Sequence, residues 1–156
     1  MSYNNADGLL VLTNGDQGAV NQTGSAEYGP KFLVINIPAA AAIGSAAAAP
    51  AANDAFIPAG AYITKASLVV TTAFTGTNAT LNIGLQTAAG SAIDADGIDA
   101  VIAVTDLASI GKAVACNGAL VAGTATVGSA NAYVSFDYDT AAFTAGAGKL
   151  VIEYIG

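Results

Sequence analysis

Apolar and polar residues alternate along most of the chain, a period of two that is typical of β-strands with one buried face. The longest such stretch is Phe56–Gly90, in which two alternating runs flank the turn-forming segment Thr75-Gly76-Thr77-Asn78. This pattern predicts a β-hairpin with a long strand on each side of the turn. Leu81, Ile83 and Leu85 share one face of the second strand, and the other face is predicted to be wet.

Shorter alternating runs surround this stretch and predict further strands. Together they predict an all-β fold, an antiparallel β-sandwich or jelly-roll-like barrel of about eight strands. In the run at 31–37, the alternation directs Leu33, Ile35 and Ile37 toward the core. The shorter predicted strands are 8–13, 31–37, 98–104, 112–121, 124–127, 132–138 and 149–155, with turn signals at Asn14-Gly15 and Asn117-Gly118 and one helical turn at 106–110.

The chain of 156 residues is the size of one domain. Residues 1–30 contain one short apolar run followed by a polar, glycine-rich segment, and we expect a strand with an extended N-terminal arm. Residues 31–156 are predicted to form a single β-sandwich domain. Within it, residues 39–55 are rich in alanine but interrupted by Gly44 and Pro50, which predicts a connector with at most one helical turn.

Charge narrows the classes of function. Charged residues make up 10% of the chain, and the net charge is −7 with four Lys, no Arg and no His. Nucleic acids and anionic membranes are bound through cationic side chains, so neither is expected as a partner. Without His, triads of the Ser–His–Asp or Cys–His type cannot form within one chain. No catalytic constellation is present, no cofactor is expected, and we predict that the protein is not an enzyme.

Two features could carry chemistry. Asp94, Asp96 and Asp99 surround a glycine and are similar to the start of a calcium-binding loop, since calcium prefers several carboxylate oxygens. The twelfth position of such a loop is Thr105 rather than an acid, so an acidic turn without metal is the alternative interpretation. The single cysteine, Cys116, is expected to be a small buried apolar residue.

Three segments together resemble small virion proteins of tailed bacteriophages, including capsid decoration (cement) proteins. They are IPAGAYITKASLVVTTAFTGTNATLNIGLQTAAGSAIDADGI, TDLASIGKAVACNGALVAG and FTAGAGKLVIEYI, and the resemblance spans Phe56–Ile155. It implies a β-sandwich or jelly-roll domain that binds the outer capsid surface as a homotrimer and stabilises the shell. The expected partners are then the major capsid protein and further copies of this chain. The expected location is the exterior of the virion, after synthesis in the cytoplasm of the bacterial host.

A carbohydrate- or cell-surface-binding module, on a phage fibre or secreted, is the alternative function. Six tyrosines could stack on sugars, but Trp, the usual sugar platform, is absent. For self-association we expect the apolar and Thr-rich faces of the hairpin together with the arm. The residues predicted for this interface are Leu9, Leu10, Val11, Leu12, Tyr62, Leu68, Val70 and Phe74.

Overall fold

A computed structural model of the chain describes residues 3–4, 10–11, 30–37, 43 and 55–156. The described part is almost entirely antiparallel β-structure with one short 3-10 turn, Val104–Asp106, and this confirms the predicted all-β sandwich. The strands are β1 (Tyr3–Asn4), β2 (Leu10–Val11), β3 (Lys31–Asn36), β4 (Tyr62–Thr75), β5 (Thr80–Gln86), β6 (Ala92–Ala103), β7 (Ala113–Ala115), β8 (Tyr133–Tyr138) and β9 (Ala145–Ile155).

Two sheets make up the sandwich. One has four strands in the order β3-β9-β4-β7, and the other has three in the order β6-β5-β8. Their inner faces contribute to one hydrophobic cluster, which includes Leu68 and Ile152 from the first sheet and Leu81 and Ile83 from the second. All four side chains are fully buried, as expected where two sheets pack face to face. A separate two-stranded sheet pairs β1 with β2.

The predicted hairpin at Phe56–Gly90 is wrong in its pairing. Both strands exist, but β4 pairs with β9 and β7, whereas β5 pairs with β6 and β8. The segment between Phe74 and Ala79 therefore crosses from one sheet to the other. Both of these residues are about 1% exposed and point into the core, which an arch between two sheets allows. Asn78 makes the turn with a φ of 55°, a conformation that Asn tolerates better than most residues.

Side-chain alternation correctly predicts the inward faces of β3 and β5. Leu150, Ile152 and Tyr154 of β9 point into the core, and Ile37 follows β3 into it. In β4 the register shifts between Ile63 and Lys65, and this irregularity brings Ile63 to the buried side together with Ala66, Leu68, Val70 and Phe74.

The predicted wet face of β5 is partly wrong. Leu81, Ile83 and Leu85 are buried as predicted, but Gly84 and Gln86 on the other face are buried too. A Cβ on Gly84 would lie 2.3 Å from the carbonyl oxygen of Ala95, so the backbone of β6 lies directly over this position. The backbone of β6 thus covers this part of the outer face of β5 and excludes water from it.

The segment after β7 joins the two sheets instead of forming the predicted strands. The amide of Cys116 donates to the carbonyl of Ala66 in the four-stranded sheet at 3.0 Å. Two residues later, the amide of Gly118 donates to the carbonyl of Ile98 in β6 at 2.8 Å. Asn117-Gly118 is therefore part of a bridge between sheets and not a hairpin turn, and residues 124–127 form no strand.

Several predictions concern residues outside the described part. The turn at Asn14-Gly15 and the glycine-rich part of the arm lie outside it, as does the connector at 39–55 except for residues 43 and 55. Ile43 is 2% exposed and belongs to the hydrophobic cluster. The domain boundaries remain predictions.

Candidate interaction surfaces

The outer face of the four-stranded sheet carries exposed apolar side chains. Since Leu150, Ile152 and Tyr154 of β9 point inward, the alternating residues Lys149, Val151 and Glu153 point outward. Register places Phe32 beside Glu153 and Val34 beside Val151. Phe32 is 63% exposed and Val34 is 57% exposed, both on β3 at the edge of the sheet. A partner that covers this corner would remove apolar surface from water.

The chain's four lysines all lie on or beside this sheet. Three are in its strands, namely Lys31 in β3, Lys65 in β4 and Lys149 in β9. Lys112 directly precedes β7 and forms an ion pair with Asp106 at 3.5 Å. Lys31 donates from its ammonium group to the carbonyl oxygen of Gly156.

Two of these lysines, Lys65 and Lys149, are exposed and form no ion pair within the described residues. Lys65 is the cross-strand neighbour of Glu153. The carboxylate of Glu153 accepts a hydrogen bond from the Thr64 hydroxyl at 2.7 Å instead. The two ammonium groups are therefore available to a partner that supplies carboxylates.

The outer face of the three-stranded sheet is polar and acidic. A groove of about 290 Å³ lies on it, between β6, β5 and β8. In the groove, the Asn82 amide oxygen accepts a hydrogen bond from the Val101 amide at 2.8 Å, which ties the edge of β6 to β5. Amide, hydroxyl and carboxylate groups together suit a polar ligand. The groove is lined by Asn82, Gln86, Gly90, Ala92, Ala95, Asp96, Ser135 and Asp137.

The three carboxylates of the predicted calcium loop do not form one site. They lie along the strand β6 and not in a turn, so both interpretations of this segment as a loop are wrong. Asp96 is exposed, Asp94 is half-buried, and Asp99 is 5% exposed. Among the described residues, no three acidic or thiol side chains are grouped as metal ligands. The acidic segment became part of a sheet because Asp94 pairs with Leu85 and Asp99 pairs with Ile83 of β5, with a shift in register between the two pairs.

Asp99 has a buried polar partner that the sequence did not indicate. The Cys116 thiol and the backbone of Ala100 and Asn117 lie near its carboxylate and favour its charged form. Burial raises the pKa of Asp99, and these three groups oppose this effect only in part. Burial, with the Asp99 carboxylate nearby, raises the pKa of the Cys116 thiol to about 12. Cys116 is buried as predicted, but it also links β6 to the bridging segment.

The predicted self-association residues fall into three groups. Leu68, Val70 and Phe74 are at most 1% exposed, so they are core residues and their assignment to an exposed interface is wrong. The register shift in β4 and the packing of the second sheet over these side chains explain the difference. Tyr62 is half-buried, and its hydroxyl donates to the carbonyl of Gly123 at 3.0 Å.

The remaining predicted interface residues belong to the arm. Leu10 and Val11 form β2, whose backbone alone is described, and Leu9 and Leu12 lie outside the described residues. Their role in self-association stays a prediction. The exposed Phe32 and Val34 were missed because alternation shows which side chains of a strand share a face, not whether another sheet covers it.

Comparison with known proteins finds similarity in structure only. No family model matches the chain, and no curated protein sequence matches it. A chain from the capsid of Ralstonia phage GP4 aligns with a TM-score of 0.51 and 18% identity, covering 88% of this chain and 90% of that one. A chain from the cyanophage Pam1 capsid asymmetric unit aligns with a TM-score of 0.45 and 18% identity, covering 92% and 96%. The first of these alignments shows a shared fold. No helix in the described residues is long and apolar enough to span a membrane.

Proposed function

We propose that this chain is a non-enzymatic structural protein of a tailed-phage virion, a decoration protein that binds the outer capsid surface as a homotrimer. The observation that carries the proposal is the fold shared with a chain from the capsid of Ralstonia phage GP4, which extends over about nine-tenths of both chains. The motif-level resemblance of Phe56–Ile155 to phage decoration proteins supports it independently. The protein would be made in the host cytoplasm and added to the particle exterior.

The surface of the described part suits lattice binding. One side of the sandwich exposes Phe32 and Val34 next to Lys65 and Lys149, which form no ion pair with any residue that the structure describes. A cement protein acts by linkage, since it binds the assembled shell and not the separated subunits. At a free concentration of about 100 times its Kd, one bound protein adds about 2.7 kcal/mol to the stability of the assembled state. Many bound copies then raise the temperature at which the shell ruptures.

Particles that lack this protein provide the test. They are heated with a dye that reports released DNA, alone and after saturation with the purified protein. We expect the rupture temperature to rise with protein concentration and then level off when all sites are filled. Heat-denatured protein at the same concentration is the control for non-specific effects. Equal rupture temperatures with and without folded protein would refute cementing. A mass measurement that finds only monomers at micromolar concentration would refute the trimer.

The polar groove favours a second candidate, a carbohydrate- or cell-surface-binding module. Ser135 and Asp137 lie two residues apart on the same face of β8, and both line a groove wide enough for a small polar ligand. Glycan-array binding by the wild type that is lost in Ser135→Ala/Asp137→Asn would favour this function. Absence of glycan binding together with capsid binding would reject it.

A further inference from the structure

Charge is divided between the two sheets of the sandwich. The four-stranded sheet and the residue before β7 hold all four lysines of the chain. The strands of the three-stranded sheet instead contain Asp94, Asp96, Asp99 and Asp137, and Asp139 follows β8 directly. Glu153 is the only acidic residue in the described strands of the four-stranded sheet. Because the sheets pack back to back, their outer faces point in opposite directions. One outer face carries Lys65 and Lys149 together with Glu153, and the other carries Asp96 and Asp137.

We propose that the outer face of the four-stranded sheet is the capsid-binding side, and that its partner is an acidic protein surface with an apolar centre. This inference rests on the proposed function and adds which side of the molecule faces the shell. We call this surface the lysine face and define it by Phe32, Val34, Lys65, Lys149, Val151 and Glu153, whose carboxylate accepts a hydrogen bond from the Thr64 hydroxyl.

The composition of the lysine face defines the chemistry of the partner. Lys65 and Lys149 flank the apolar residues and form no ion pair within the described part of the chain. Covering them without carboxylates would leave two desolvated charges, which is costly. Phe32 and Val34 lie between them and the sheet edge, and an apolar partner surface would bury both. Acidic groups around an apolar patch satisfy both requirements.

The acidic outer face of the three-stranded sheet determines which way round the protein binds the shell. An acidic shell surface repels the carboxylates of Asp96 and Asp137 on the three-stranded sheet. The same long-range charge that attracts the lysine face therefore disfavours binding upside down. The acidic face then points away from the shell.

Two variants with equal net charge test this assignment. Lys65→Gln/Lys149→Gln removes two positive charges from the lysine face. Ser91→Glu/Ala100→Glu adds two negative charges at exposed positions in or next to β6, on the other sheet. Both make the protein more negative by the same amount, so a difference between them reports the face and not the net charge. Phe32→Ala separately tests the apolar contact.

Binding is measured by co-sedimentation of full-length protein with particles that lack it, at low and at high salt. The mass of each free variant is measured in parallel. We expect Lys65→Gln/Lys149→Gln to raise the Kd at least about tenfold and to weaken its salt dependence. We expect Phe32→Ala to raise the Kd as well, and Ser91→Glu/Ala100→Glu to bind like the wild type. All variants should keep the wild-type mass.

Each other result has a definite meaning. If the wild type does not bind particles, the proposed function fails before the face is tested. If the wild type binds and the lysine variant binds equally well, the face assignment is overturned while the function stands. If Ser91→Glu/Ala100→Glu loses binding instead, the acidic side faces the shell. If the lysine variant changes mass, the lysine face is a contact between copies of this chain, which also overturns the assignment.

Discussion

Phe74 and Phe32 are the same residue type in opposite environments, and their truncation to alanine tests the architecture. Phe74 is 1% exposed and packs edge-on against Phe143 with ring centroids 5.3 Å apart. Its ring also lies against the backbone of β9, since a Cβ on Gly146 would be 2.2 Å from it. Phe74→Ala leaves a cavity between two sheets that backbone contacts hold in place, so we expect the cost to reach about 3–5 kcal/mol.

Phe32→Ala should change the unfolding free energy by less than about 0.5 kcal/mol, because the ring is 63% exposed on an edge strand. For a domain of this size, the loss at Phe74 corresponds to a melting temperature lower by about 6–20 °C. The protein has no Trp, so urea unfolding is followed by circular dichroism at one fixed protein concentration. Where Phe74→Ala does not fold, Phe74→Leu provides a milder change of the same sign.

Equal losses for the two alanine variants would contradict the assignment of Phe74 to the core. A larger loss at Phe32 would show that the outer face of β3 is covered in the isolated protein. A Phe74 variant that is as stable as the wild type but has a lower mass in solution would restore the sequence-based interpretation of this residue as part of an interface. The two positions thus separate a core role from an interface role with one chemical change.

Three further predictions concern the second sheet and its buried polar pair. Gly84→Ala should destabilise the fold by about 1–3 kcal/mol in urea unfolding, because the new Cβ meets the Ala95 carbonyl oxygen at 2.3 Å; wild-type stability would show that β6 is not held so closely. Burial raises the pKa of Asp99, so the folded state binds its proton more tightly than the unfolded chain, and this contribution to stability is present below about pH 3.9 and lost as the pH rises through the folded pKa. The stability of the wild type relative to Asp99→Asn should therefore improve between pH 7 and pH 4, and a constant difference would contradict the raised pKa. The Cys116 thiol, with its pKa raised to about 12, should react with a disulfide reagent at pH 8 only after denaturant is added; rapid labelling of the native protein would show an accessible thiolate.

The pairing of β4 with β5 is the part of the fold that was predicted wrongly from the sequence. The run on each side of Thr75-Gly76-Thr77-Asn78 correctly predicted a strand. A short turn is equally compatible with a hairpin and with an arch between sheets, and local alternation does not distinguish the two. The arch is favoured here because β9, from the end of the chain, pairs with β4 over most of its length. That contact joins residues far apart in sequence, so no local pattern contains it.

For the surfaces too, the sequence shows which residues are present, and only the strand order shows where they lie. The low charge and the absence of His, both visible in the sequence, limit the possible chemistry. That all four lysines lie on or beside one sheet follows only from the order β3-β9-β4-β7. The Asp99–Cys116 contact likewise depends on the segment after β7 crossing between the sheets.

By itself, the sequence determined the all-β class, the inward faces of β3 and β5, and the low content of charged residues. These are local properties, because a strand's period of two and a side chain's chemistry do not depend on its neighbours in space. Only the tertiary structure decided which strands share a sheet, that Leu68, Val70 and Phe74 are core, and which outer face carries the lysines. These depend on long-range pairing, since the same amphipathic strand can bury its apolar face against any complementary sheet.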